Sequence, residues 1–184
     1  MSADAVGLLD AVGYEDAHII GFSMGGMIAQ QVAAQYPQRV RSLTSVMSTT
    51  FAKHLPPPTK EARERLTNFA SGEAAEQLSQ AMRDRGFYPE SMPRQLMAIY
   101  KTGDRSDEVK TIAAKTLVIH GEDDGLVLPS HGEHTAELIQ NSEIVIFPGM
   151  GHNVPEDVLP DMLERMIGHM RAADHAAVTT ESHH

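Results

Sequence analysis

Four short apolar runs, His18–Phe22, Val40–Met47, Thr116–His120 and Glu143–Phe147, recur along this 184-residue chain, and helix-type sequence surrounds them. Runs this short, bounded by glycine and proline, suit buried strands. Ala5, Leu8, Leu9 and Val12 stand at the spacing of a one-faced helix, with Gly13 at its stop. Met24, Met27, Ile28 and Val32 form a second stripe, which Pro37 ends. Ser130 and Glu133 have capping-box spacing and announce a helix to about Ile139. Leu159, Met162, Leu163, Met166, Ile167 and Met170 predict a last helix with one apolar face. Strands alternating with helices imply an α/β fold, with about four parallel strands and helices on both faces.

The segment between the second and third runs differs in character. Pro56-Pro57-Pro58 interrupts structure, and charged helix-forming stretches follow at Lys60–Phe69, Glu73–Arg85 and Met92–Lys101. The expected organisation is therefore a first α/β block over 1–50, a helical lid over 51–108 and a second α/β block over 109–170. Residues 171–184 carry no pattern and are expected to fray as a flexible tail. Tyr88, Tyr100 and several methionines of the lid are expected mainly to pack in a core.

Composition removes whole classes of function. With 41% hydrophobic residues the chain can form a core. No cysteine is present, which excludes disulfides, thiolate metal sites and a cysteine nucleophile. A net charge of −10 without a basic stripe argues against nucleic acid. No apolar run reaches membrane-spanning length, so a cytoplasmic protein with no membrane association is expected.

Chemistry concentrates in three loops, each directly after an apolar run, and parallel sheets gather their active groups at the strands' carboxyl ends. Gly21-Phe22-Ser23-Met24-Gly25 fits a sharp strand-to-helix turn that presents Ser23 as a nucleophile. Glycines flanking it allow backbone to approach without a Cβ clash. The following helix would aim its positive end at the site, with the Met24 N–H as an oxyanion donor. The plainer reading of Ser23 is an ordinary helix cap. Glu122-Asp123-Asp124, after Gly121, offers a carboxylate to orient an imidazole, though chemistry alone does not choose among the three acids, and a solvated acidic turn is the plainer alternative.

Pro148-Gly149-Met150-Gly151-His152 places one of ten histidines in a glycine-rich loop after the last strand. His18, His54, His131, His134 and His169 fall where packing or surface roles are expected, and His120 closes a strand and could pack inside the site without catalysing. No H-x-x-x-H or H-E-x-x-H spacing occurs, and His131 with His134 lacks further ligands, so no metal and no cofactor are expected.

At these residues the chain resembles the α/β-hydrolase superfamily, and more narrowly the bacterial esterases that include aclacinomycin methylesterase. The stretches that carry the resemblance are VGLLDAVGYEDAHIIGFSMGGMIAQQVAAQYPQRVRSLTSVMSTT, RQLMAIYKTGDRS, KTLVIHGEDDGLV and FPGMGHNVPED. The order serine, acid, histidine is the one that superfamily uses. The resemblance implies Ser23 as nucleophile, Asp124 rather than Asp123 as acid, and His152 as base.

Members of that family begin with further strands ahead of the region matched here, including a loop that supplies a second oxyanion donor. The chain thus corresponds to a partial fold, with those N-terminal strands missing and a lid shorter than usual. The strand His18–Phe22 is then expected at a sheet edge, without a Lys or Pro guard, open to a partner chain or a homo-oligomer. Loss of one oxyanion donor typically costs about 10²–10³ in rate. Three functions remain open: a serine hydrolase acting on a small-molecule ester, a weakly active or inactive fragment that associates with another chain, and a lactonase or cofactor-free perhydrolase.

Overall fold

The computed structural model describes residues 1–69, 80, 83–86, 88 and 91–181. Its centre is a four-stranded sheet in the order β1-β2-β3-β4, made of β1 (Ala17–Phe22), β2 (Val40–Val46), β3 (Lys115–Gly121) and β4 (Ser142–Phe147). Every pairing is parallel: Leu43 lies between Ile19 and Thr116, and Ile119 between Val46 and Val145. Parallel neighbours cannot be joined by a hairpin, so each connection must cross over. The helices are α1 (Ser2–Val12), α2 (Met24–Gln35), α3 (Lys60–Phe69), α4 (Met92–Thr102), α5 (Ser106–Val109), α6 (Pro129–Leu138) and α7 (Leu159–Glu181).

Two apolar clusters cover the two faces. On one, Ala29, Val32 and Ala33 of α2 pack with Val40, Leu43, Val109 and Ile139. On the other, Met162 and Met166 of α7 meet Val46, Leu117, Ile119 and Met150. Leu43 and Ile119 are wholly buried, each worth roughly 1.5–3 kcal/mol against exposure. β2 and β3 are buried along almost their whole length, whereas β1 and β4 are mostly half-buried or exposed, as edges are.

Several helices differ from the sequence pattern in instructive ways. In α1 the buried stripe is Ala5, Val6 and Leu9, while Leu8 and Val12 are exposed. The helix packs on α2 through the face that carries Ala5 and Val6, turned away from Leu8 and Val12. The helix over 130–139 has no capping box: its N-cap is Leu128, Pro129 occupies the first turn, and the Ser130 hydroxyl is buried without a partner. Proline at that position gives up an N–H that has no helical acceptor anyway.

In α7 the buried line is Met162, Met166, His169 and Ala173, and Leu159, Leu163 and Ile167 are exposed. The helix also continues past Arg171 to Glu181, where the sequence predicts a frayed tail. Ala173 is buried, and Asp174 lies 3.3 Å from His18 and 3.4 Å from Arg41. That side-chain anchoring comes from β1 and β2, so no local pattern could announce it.

Of the three helical stretches expected in the segment over 51–108, Lys60–Phe69 and Met92–Thr102 are helices, whereas most of Glu73–Arg85 lies outside the described residues. Tyr88 and Tyr100 are exposed rather than core, Tyr100 meeting Phe51 edge-to-face and Tyr88 lying under Arg94. No helix among the described residues is long and apolar enough to cross a membrane.

Candidate functional site

The serine turn is built by close backbone packing. Ser23 follows β1 directly, at φ 51° and ψ −117°, and α2 starts at the next residue. A non-glycine residue at positive φ is strained, and three contacts hold it there. The Ser23 N–H donates to the Val46 carbonyl at 2.8 Å, and the Ser23 carbonyl accepts from Gly26 and Met27 N–H. A Cβ at Gly21 would lie 2.1 Å from the Gly25 oxygen, and one at Gly26 would lie 2.5 Å from Ser48 Cβ. A Cβ at Gly25 would meet nothing within 4 Å. The steric demand of the turn thus falls on Gly21 and Gly26.

The acid turn is built differently. Asp124 is almost wholly buried, and its Oδ1 accepts the N–H groups of Leu126 and Val127, both at 2.9 Å. Oδ2 accepts from His152 Nδ1 at 2.7 Å. Burial disfavours the charged form, but the rings of His120 and His152 and the Val127 N–H outweigh it and hold the carboxyl well below the ordinary aspartate range. Asp123 is exposed; its backbone N–H ties the turn to the Met150 carbonyl.

His152 comes from the loop after β4, which is pressed against the acid turn. A Cβ at Gly121 would stand 2.1 Å from the Met150 oxygen, and Met150 is itself fully buried. Gly149 turns the loop at φ 74°. The ring spans the gap: Nδ1 faces Asp124, and Nε2 lies 2.9 Å from Ser23 Oγ. Because an ionised carboxylate only accepts, Nδ1 carries the proton in the neutral ring, and Nε2 is free to accept from the Ser23 hydroxyl. Three residues from the loops after β1, β3 and β4 are therefore joined in one hydrogen-bonded line. The arrangement can move a proton from the hydroxyl to the imidazole while a buried anion compensates the charge.

Three features of the site have no local sequence signal. His120 stands behind Asp124, its Nε2 3.5 Å from Oδ2. The buried Arg105 donates to the Met27 and Thr49 carbonyls, bracing α2 against the loop after β2. His131 lies 2.7 Å from Thr49 Oγ1 and 2.9 Å from the Pro56 carbonyl, and the Thr59 N–H donates to Gly125 at 2.8 Å. The segment that follows β2 is thereby fastened to α6 and to the acid turn. Beside His152 an open groove of about 550 Å³ is lined by Thr59, Ala62, Leu126, Gly151 and Asn153. A larger open groove, about 880 Å³, runs between α7 and the β3–β4 edge and touches none of the three residues. No cluster of metal-ligating side chains occurs among the described residues.

Comparison with known proteins follows the same lines. Residues 1–83 match the family model for the alpha/beta hydrolase fold. A 2-hydroxy-6-oxononadienedioate/2-hydroxy-6-oxononatrienedioate hydrolase of Paraburkholderia xenovorans (strain LB400) is 34% identical over 170 residues, covering 79% of this chain and 59% of that protein. Rhodomycin D methylesterase of Streptomyces peucetius is 24% identical over 217 residues, covering 94% of this chain and 73% of that protein. Among solved structures, 2-hydroxy-6-oxo-6-phenylhexa-2,4-dienoate hydrolase from Rhodococcus sp. strain RHA1 superposes with a TM-score of 0.71 at 19% identity, covering 92% of this chain and 69% of that one. The chain thus spans about three-fifths of the length of the first of these relatives. With four parallel strands, helices on both faces and these matches, the chain carries part of an α/β-hydrolase fold and is similar to hydrolases and esterases of that superfamily.

Proposed function

We propose that this chain carries the catalytic groups of a serine hydrolase that cleaves a carboxylic ester of a small molecule through an acyl-enzyme. The observation that carries the reading is the His152 ring, hydrogen-bonded at one nitrogen to Ser23 Oγ and at the other to Asp124. In the first step Ser23 Oγ attacks the carbonyl carbon while its proton passes to His152 Nε2. Negative charge develops on the carbonyl oxygen, where the Met24 N–H at the start of α2 is a donor. His152 then hands its proton to the departing alcohol, which leaves Ser23 acylated. Water, deprotonated by His152, releases the acid and restores the hydroxyl. Asp124 stays ionised throughout and stabilises the imidazolium.

The relatives' names support two kinds of substrate, an unsaturated oxo-acid and a methyl ester. A fluorophosphonate probe tests the reading directly. Folded wild-type protein should be labelled covalently and Ser23→Ala should not; an unlabelled wild type overturns it. Turnover of a panel of methyl esters, lactones and oxo-dienoates then identifies the acyl group.

A second reading is supported by β1, whose outer edge has no neighbouring strand among the described residues and whose Ile20 and Phe22 are each 41% exposed. In it the chain associates through that edge. Sedimentation velocity showing only monomer up to high concentration would remove it. A cytoplasmic location accords with the lack of cysteine, and cell fractionation checks it.

A further inference from the structure

We propose that His120 is a positioning residue for the acid, holding the Asp124 turn from the inside through a single fixed N–H; this rests on the hydrolase reading above. His120 lies at the carboxyl end of β3 and is fully buried. Its Nε2 is 2.7 Å from the Val127 carbonyl, which can only accept, so that nitrogen bears the proton. Asp124 Oδ2 lies 3.5 Å from the same nitrogen.

The other nitrogen, Nδ1, is buried with no partner. It faces Gly132 of α6, where a Cβ would stand only 2.5 Å from it. A proton on Nδ1 would therefore be buried without an acceptor, an unfavourable state. The ring is held in one tautomer by a carbonyl on one side and a carbon wall on the other. The titratable groups facing this pocket are Asp124 from the acid turn, His131 from α6 and, across the carboxylate, His152.

The consequence is geometric first. Val127 closes the acid turn at both ends: its N–H bonds Oδ1 of Asp124, and its carbonyl is held by His120. Oδ2 is thereby aimed at His152, and nothing in the hydroxyl–imidazole pair could supply that aim. Removing the His120 N–H frees the turn and deprives the carboxylate of a nearby donor.

Three variants test this. In His120→Phe a ring remains but the N–H is gone; in His120→Gln an amide N–H can reach the position of Nε2; in His120→Asn the amide falls short of it. The proposal expects His120→Phe to lose roughly 10- to 100-fold in kcat/KM on a small ester. It also expects His120→Gln to stay near wild type, since its amide N–H replaces that of Nε2. A second readout needs no activity: the downfield proton resonance of the His152 Nδ1–H bond to Asp124 should persist in wild type and His120→Gln and shift or vanish in His120→Phe. Should His120→Phe fail to fold, the Gln and Asn variants decide, Gln retaining the resonance and Asn losing it. Equal rates and resonances for folded Phe and wild type, or for Gln and Asn, would overturn the proposal. Absence of probe labelling in wild type would instead remove the hydrolase reading and leave the resonance test intact.

Discussion

The turns that present Ser23 and Asp124 both follow parallel strands, yet they are held by opposite means. At Ser23 the backbone is forced into a strained conformation, and the room for it comes from missing side chains at Gly21 and Gly26. At Asp124 the side chain gathers hydrogen bonds from Leu126, Val127 and His152 around a buried charge. A steric device should be insensitive to pH and intolerant of added atoms. An electrostatic device should tolerate nearby shape changes and fail when its charge is removed.

The largest test adds one methyl group to the steric turn. Gly21→Ala would set a Cβ 2.1 Å from the Gly25 oxygen, a backbone atom that cannot step aside. We expect a loss of about 3 kcal/mol or more, read as failure to fold or a collapsed melting temperature, with probe labelling absent. A well-folded, labelled Gly21→Ala protein would break the steric account.

Next in size, Asp124→Asn keeps the shape of the electrostatic turn and deletes its charge. An amide there no longer enforces the Nδ1–H tautomer of His152, and the expected fall in acylation rate is about 10⁴-fold. Circular dichroism should show the fold retained. A loss under tenfold would mean that another acid orients His152.

The third test is pH. Asp124's carboxyl has a folded-state pKa below its unfolded value, so the unfolded chain binds that proton more readily. The stability it contributes is fully present above the unfolded value of about 3.9 and declines as pH falls below it. Melting temperatures from pH 6 down to pH 2 should therefore drop more steeply for wild type than for Asp124→Asn. Parallel curves would show that the carboxylate is not held in its charged form by the fold.

The smallest effect is expected at the second glycine of the G-x-S-x-G pattern. Gly25 lies in α2, and a Cβ there meets nothing within 4 Å. Gly25→Ala should leave labelling intact and raise stability by up to about 1 kcal/mol through helix propensity, measured as a higher melting temperature. A destabilised Gly25→Ala would return the steric demand to the whole motif.

Much of the site is legible in the chain itself. A strand run, a glycine-flanked serine and a helical stripe define the Ser23 turn locally, and the strained φ of Ser23 and the α2 start at Met24 agree with it. Strand identities are equally local, and all four apolar runs appear as parallel strands. The choice among Glu122, Asp123 and Asp124 is different in kind. The chemistry of the three acids does not choose, and the family resemblance points to Asp124. In the fold Asp124 is the one that is buried and reaches His152, beside the contact between the acid turn and the Met150 loop. The alternation of strands and helices, and the short-range glycine geometry, were determined by sequence because both arise from neighbours a few residues apart. The run of α7 to Glu181, the Arg105 and His131 braces and the placing of His120 behind the acid were decided by tertiary structure. Each depends on partners tens of residues away, and no pattern along the chain records where a crossover will set them down.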